Sequence, residues 1–215
     1  MNFLNEKIEQ YSSEHSQQEP ELLKALNKET HQKILMPIML SGAYQGRLLS
    51  MLSKIKTPKT ILEIGTYTGY ATLCLAEGLP NDGMIHTIDI NEELMAIQQK
   101  YFKKSKYTEQ IKSHVGHAKD IIPTLEAKFD MVFIDADKSN YGLYFDLIIP
   151  KLNPEAIILS DNVLWSGKVT DDEANDKDTL ALKAYNKKIN EHPDFETVLL
   201  PIRDGLSLSR YIGSS

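Results

Sequence analysis

Phe133-Ile134-Asp135-Ala136-Asp137-Lys138 and Leu159-Ser160-Asp161-Asn162 each place oxygen-bearing side chains where an apolar, strand-like run ends. In open α/β sheets, ligands bind outside the carboxyl ends of the strands. If these two runs are neighbouring strands, Asp135, Asp161 and Asn162 converge. Two carboxylates and an amide oxygen form a hard donor set that suits Mg2+, Mn2+ or Ca2+ better than zinc, which prefers nitrogen and sulfur. An octahedral ion held this way keeps open positions for water and substrate. The competing reading is structural, because Asp and Asn are favoured at turns and helix starts. Lys138, one helical turn from Asp135, adds a cation to this cluster, and by itself reads as an exposed lysine paired with Asp135 or Asp137. The six histidines, His15, His31, His86, His114, His117 and His192, show no pairing at metal-ligand spacing.

A second string, Glu63-Ile64-Gly65-Thr66-Tyr67-Thr68-Gly69-Tyr70, lies between a strand-like and a helical segment. Glycines there let backbone approach a ligand closely, and the following helix N-terminus favours polar or anionic groups. The spacing is Gly-x-x-x-Gly, not the Gly-x-Gly-x-x-Gly of nicotinamide-binding folds. Asp89 ends the next apolar run, where a carboxylate takes both ribose hydroxyls of an adenosine. Together these features read as a site for a nucleoside-containing cofactor. For Asp89 alone, the alternative is an N-cap on the helix that follows.

The elements that must position these groups follow from periodicity. Residues 1–57 read as helical, with Leu22, Leu23 and Leu26, then Leu48, Leu49, Met51 and Leu52, at helical spacing. Short β-branched runs then appear at 60–64, 84–90, 111–115, 130–136 and 156–160, separated by helical segments that include 70–78, 92–103 and 141–152. This alternation predicts an α/β fold, a parallel sheet with helices on both faces. The runs at 195–202 and 206–212, joined by Arg203-Asp204-Gly205, predict an antiparallel hairpin at the sheet edge. The acidic stretch 170–178 reads as a solvated loop or lid.

Composition narrows the classes. Hydrophobic content of 41% and charged content of 25% fit a globular protein, and the length fits one domain over 1–215, divided into helices at 1–57 and a sheet core at 58–215. A formal net charge of −6 without a long basic run disfavours a duplex-binding protein. No apolar stretch approaches the ~20 residues that span a bilayer. The opening Met1-Asn2-Phe3-Leu4-Asn5-Glu6 lacks the order of a signal peptide. The single cysteine, Cys74, cannot form an internal disulfide, which points to a reducing, cytoplasmic setting. It reads as a small buried hydrophobe, with nothing nearby to lower its pKa.

From about Met39 to Tyr211 the chain resembles the cation-dependent class I O-methyltransferases, which include catechol and caffeoyl-CoA O-methyltransferases. The resemblance rests on Glu63-Ile64-Gly65-x-Tyr67-x-Gly69-Tyr70, Phe133-Ile134-Asp135-Ala136-Asp137-Lys138-x-Asn140-Tyr141, Asp161-Asn162-x-Leu164-Trp165-x-Gly167 and Asp204-Gly205-Leu206, in that order. It implies a Rossmann-like, seven-stranded, mostly parallel sheet with a reversed last strand, and N-terminal helices that help to cover the active site. It implies metal ligation by Asp135, Asp161 and Asn162, and Lys138 as general base. Cofactor contacts are implied for Met39, Ser41, Glu63, Gly65, Thr66, Tyr67, Ala71, Asp89, Ala118 and Asp137, with S-adenosyl-L-methionine as the cofactor. The acceptor would meet Asp135, Lys138, Asn162 and Trp165. Homodimers are common in this family. Ser166 stands where the caffeoyl-CoA enzymes have asparagine, and Ser207 where animal catechol enzymes have glutamate. The implied reaction is methyl transfer to a hydroxyl of a catechol-like small molecule. The alternative acceptor is 5-hydroxyuridine in tRNA, served by a basic patch at Lys54, Lys56, Lys59 and residues 100–106.

Overall fold

The computed structural model describes residues 5–213; the expectations for 1–4 and 214–215 lie outside the described residues. Three helices come first: α1 (Glu6–Glu14), α2 (Glu21–Lys33) and α3 (Gly42–Lys56). Then follow β1 (Thr60–Ile64), α4 (Tyr70–Ala76), β2 (Met84–Asp89), α5 (Met95–Lys104), β3 (Ile111–Val115), α6 (Ala118–Ile121), β4 (Phe129–Ile134), α7 (Tyr141–Ile148) and β5 (Leu152–Asp161). The chain closes with α8 (Lys177–Asn190), β6 (Phe195–Leu200) and β7 (Leu206–Tyr211).

The strands form one seven-stranded sheet in the order β3-β2-β1-β4-β5-β7-β6. Strands β1 to β5 pair in parallel, and β7 runs antiparallel to both β5 and β6. The expected hairpin is therefore present, with its second strand inserted next to β5. From β1 the chain steps outward to β2 and β3, then returns to β4 on the other side of β1. That reversal opens a crevice at the carboxyl ends of β1 and β4. Parallel strands need cover on both faces, and the side chains supply it. Leu62, Ile64, Val132 and Ile158 pack with Phe145, Leu182, Tyr185 and Ile189 on one face. Ile61, Met131 and Leu159 pack with Leu23, Leu26, Leu49, Leu75 and Phe102 on the other.

Several boundaries differ from the periodicity. The helix expected over 141–152 stops at Ile148, because Pro150 lies in a 3-10 turn and Leu152 already opens β5. That strand begins four residues before its expected start at 156 and contains Glu155 in the left-handed region, with a register shift opposite Phe129 and Met131. The segment from 92 starts as a 3-10 turn, Glu92–Leu94, before α5. α8 is additional to the expected elements. Only Thr179, Leu182, Tyr185 and Ile189 on it are buried, so its apolar stripe is thin against a charged surface. The acidic loop ends at Asp176, whose carboxylate caps α8 by accepting from Thr179 N at 3.1 Å.

Candidate active site

Asp135 follows β4 directly, and Asp161 ends β5. Ile134 is in register with Ser160, so the parallel pairing puts the two acids side by side beyond the strand ends. Lys138 Nζ donates to Asp135 Oδ1 at 2.9 Å and to the Tyr141 hydroxyl at 2.7 Å. Tyr141 in turn donates to the Asp161 carbonyl at 3.0 Å. Lys138 is 8% exposed, so it is a buried cation and not the solvated lysine of the alternative reading, although its pairing with Asp135 is as that reading foresaw. Burial, and the charges of Asp135 and Asp161, hold the Tyr141 phenol well above its usual range, so it stays neutral.

Asp161 is 2% exposed. Burial and the neighbouring Asp135 charge push its carboxyl upward. Its Oδ1 accepts from Asn162 N at 2.8 Å and its Oδ2 from Gln45 Nε2 at 2.6 Å. Among the described residues no three His, Cys, Asp or Glu side chains cluster to hold a metal. A metal set here therefore depends on the amide of Asn162 as third donor. The chemistry fits a hard cation: Asp161, buried beside a second carboxylate that pushes its carboxyl upward, is relieved by a positive ion, and the Asn162 amide is the donor type that would complete the set.

The turn after β5 is tightly built. Asn162, Trp165, Ser166 and Gly167 all have positive φ, at 58°, 48°, 54° and 82°. Asp204 and Gly205, at the start of the β7 hairpin, hold it: Val163 N donates to the Gly205 carbonyl at 3.2 Å and Leu164 N to the Asp204 carbonyl at 2.9 Å. The Trp165 ring packs on the core beside β5, and its buried Nε1 has no partner.

A cleft opens next to these acids, lined by Met39, Leu40, Ser41, Gly65, Thr66, Tyr67, Tyr70, Ala71 and Asp135. Six residues expected to touch a cofactor are in that lining. Glu63, Asp89, Ala118 and Asp137 lie outside it. Asp89 accepts from Tyr67 N at 2.6 Å and Asn91 N at 2.8 Å, tying the glycine turn to the end of β2. It is not the helix cap; that role falls to Asn91, which accepts from Glu93 N. Glu63 is fully buried beneath the turn and accepts from Thr72 and Thr87 hydroxyls, each at 2.5 Å, while its Oε1 has no partner. Burial pushes its carboxyl up to about 8, so it holds a proton at neutral pH. A chain of hydroxyls, Thr66 to Thr87, connects it to the cleft wall. Ala118 opens α6, and Asp137 accepts from Asn140 and Tyr144.

The histidines join no metal cluster among the described residues, as expected, but His86 and His114 meet across adjacent strands, Nδ1 of one 3.1 Å from Nε2 of the other. Burial and the neighbouring imidazole lower His86 to about 4. Cys74 is buried as expected, yet the Arg47 guanidinium sits 3.5 Å from its sulfur. Burial outweighs that cation and pushes the thiol up to about 12. Sequence reasoning missed Gln45; its only signal is a polar residue on the buried side of α3.

Residues 13–212 match the family model described as O-methyltransferase. The chain is 31% identical over 183 residues to a catechol O-methyltransferase of Niastella koreensis, covering 81% of this chain and 83% of that one. It is 34% identical over 205 residues to caffeoyl-CoA O-methyltransferase 1 of Eucalyptus globulus, covering 90% and 83%. The O-methyltransferase TomG of Streptomyces achromogenes, solved with S-adenosylmethionine, superposes with a TM-score of 0.87 at 30% identity over 96% of each chain.

Proposed function

This chain belongs to the O-methyltransferase family, and we propose that it methylates one hydroxyl of a vicinal-dihydroxy aromatic small molecule with the help of a hard divalent cation. The observation that carries this reading is that Asp135 and Asp161 leave adjacent strands side by side, Asp135 on the wall of the Gly65 cleft and Lys138 buried against it, with Asn162 next in the chain as the third donor the reading needs. In this reading S-adenosylmethionine occupies the cleft. Ser41, Gly65 and Thr66 on the cleft wall would hold its methionine end, and Asp89 at the end of β2 would take its ribose hydroxyls.

When bound, the cation supplies Lewis acidity that lowers the pKa of a phenol from about 10, and the cofactor supplies an electrophilic methyl group. The rest falls to the chain. Asp135, Asp161 and Asn162 fix the acceptor through the ion, and Trp165 walls its ring. Lys138 Nζ would take the proton of the attacking hydroxyl once it has lost its own proton beside the bound ion and stands as a neutral amine; Tyr141, held neutral, cannot serve as that base. With both held, the methyl carbon would pass to the acceptor oxygen as its bond to sulfur breaks, the bonding pair staying on the sulfur as an uncharged thioether. Holding both partners in line supplies the remaining acceleration.

Ion pairs support a small acceptor over a nucleic acid. Of the basic residues that would serve tRNA, Lys54 pairs with Glu77 at 2.6 Å and Lys100 with Glu29 at 2.5 Å. Leu35 and Ile38, 93% and 79% exposed beside the cleft, supply apolar surface for the pairing of two copies. Among the described residues no helix is long and apolar enough to cross a membrane.

The test is methyl transfer from labelled S-adenosylmethionine to a panel of catechols, caffeoyl esters and tRNA, with EDTA and then excess Mg2+. Turnover of catechols that stops in chelator and returns with Mg2+ is the expected result. Full activity in EDTA refutes the metal role, and exclusive methylation of tRNA refutes the acceptor class.

A further inference from the structure

Gln45 is 1% exposed, and both ends of its amide are engaged. Its Oε1 accepts from Arg203 Nη1 at 3.1 Å, and its Nε2 donates to Asp161 Oδ2 at 2.6 Å. A guanidinium only donates, so the amide oxygen must face Arg203 and the NH2 must face Asp161. Its orientation is thereby fixed. Arg203 also donates to the carbonyls of Leu40 and Ser41, two residues of the cleft wall. It does so from a left-handed backbone, φ 51°, between β6 and β7. A non-glycine residue there costs energy that surrounding contacts must offset.

We infer that Gln45, oriented by Arg203, is a positioning residue that sets the Asp161 carboxylate for the cation. Both oxygens of Asp161 then have one fixed neutral donor, Asn162 N and Gln45 Nε2, which leaves the carboxylate one plane. The interposed amide matters electrically. A guanidinium bonded directly to Asp161 would neutralise it and compete with a dication. Through Gln45, Arg203 passes on orientation while its charge stays one residue away. Because Arg203 also grips Leu40 and Ser41, the wall of the cofactor cleft and the metal ligand share one anchor. Outer partners of this kind commonly govern metal affinity by 10- to 100-fold.

This inference rests on the metal part of the proposed function, and one titration separates the two. Mn2+ binding to the full chain is measured by calorimetry, alongside thermal unfolding without metal and binding of S-adenosylhomocysteine. Gln45→Leu should weaken Mn2+ binding about 10-fold or more and leave S-adenosylhomocysteine affinity within about 2-fold. Arg203→Met should weaken Mn2+ in the same direction by less, and Arg203→Lys should retain most of the affinity. Ser50→Ala is the control: it removes a buried hydrogen bond from the same helix to Glu77, away from Asp161, and should lower stability without touching Mn2+ affinity. If Gln45→Leu does not fold, the order of the two Arg203 variants decides. Wild-type affinity in Gln45→Leu overturns the inference, as does an equal loss in Ser50→Ala, which would make the role merely structural. No Mn2+ binding by the wild type overturns the metal reading itself, and this inference with it.

Discussion

Gly65 and Asp135 meet across the seam between β1 and β4: a Cβ on Gly65 would sit 1.9 Å from the Asp135 carbonyl oxygen. The glycine turn that lines the cofactor cleft is thus in van der Waals contact with the backbone of the first candidate metal ligand. Asp135 N also donates to the Ile64 carbonyl at 2.8 Å. The two halves of the site share one rigid seam.

Gly65→Ala should therefore damage both halves. Its φ of 101° is unfavourable for any side chain, and the atom a Cβ would meet is backbone, which cannot rotate away. A cost of about 2–3 kcal/mol corresponds to a fall in Tm of roughly 4–12 °C for a chain of this size. Calorimetric binding of S-adenosylhomocysteine should also be lost. A variant that melts and binds like the wild type would contradict the seam.

Lys138→Met keeps the length of the buried stem and removes the amine. Loss of a general base slows chemistry by about 10²–10⁴-fold, so kcat should fall by that order while cofactor affinity holds. Steady-state kinetics with a catechol acceptor provide the check. An effect confined to KM would assign Lys138 to substrate binding instead.

Glu63 gives a signed pH dependence. Its folded-state pKa, about 8, lies above the 4.5 of a free glutamate, so between pH 4.5 and 8 the folded chain holds a proton that the unfolded chain releases. Its contribution to stability is full below 4.5 and declines as pH rises through 8. Urea unfolding at pH 7 and pH 9 should show a smaller decline for Glu63→Gln than for the wild type. Parallel pH curves would mean that Glu63 is ionised in the fold.

His86 acts in the opposite sense. Its folded value, about 4, lies below 6.5, so on acidification the unfolded chain binds a proton first. Stability should fall between pH 6.5 and 4, by on the order of 1–2 kcal/mol after allowance for partial access of water. His86→Gln should flatten that limb of the stability curve. An unchanged acid limb would place the loss elsewhere.

The sheet is legible in the sequence because parallel strands need apolar cover on both faces, which makes 60–64 a run buried at its last four positions; 111–115, an edge strand with Lys112, Ser113 and His114 inside it, shows only through its β-branched ends, and both keep their expected bounds in the fold. The acids at the ends of β4 and β5 are legible for the same reason, since a polar residue that stops an apolar run marks a strand tip. What is hidden depends on chain-distant partners. Gln45 and Asp161 are 116 residues apart, and Arg203 and Gln45 are 158 apart, so no local pattern announces their contacts. The His86–His114 pair depends on the β2–β3 register, which periodicity leaves open. α8 escapes notice because a narrow stripe of Leu182, Tyr185 and Ile189 is diluted by lysines and asparagines.

The insertion of β7 between β5 and β6 bears on how the molecule is made. Until Leu206–Tyr211 leaves the ribosome, β5 has a raw edge, and β6 has no neighbour to dock against. Such an edge invites pairing with other nascent chains. Asp161, at the tip of β5 and opposite Leu206, completes its surroundings only when this final stave slides home. A chain stalled before Leu206–Tyr211 emerges would therefore lack the antiparallel neighbour that flanks Asp161, whatever the state of the glycine turn after β1.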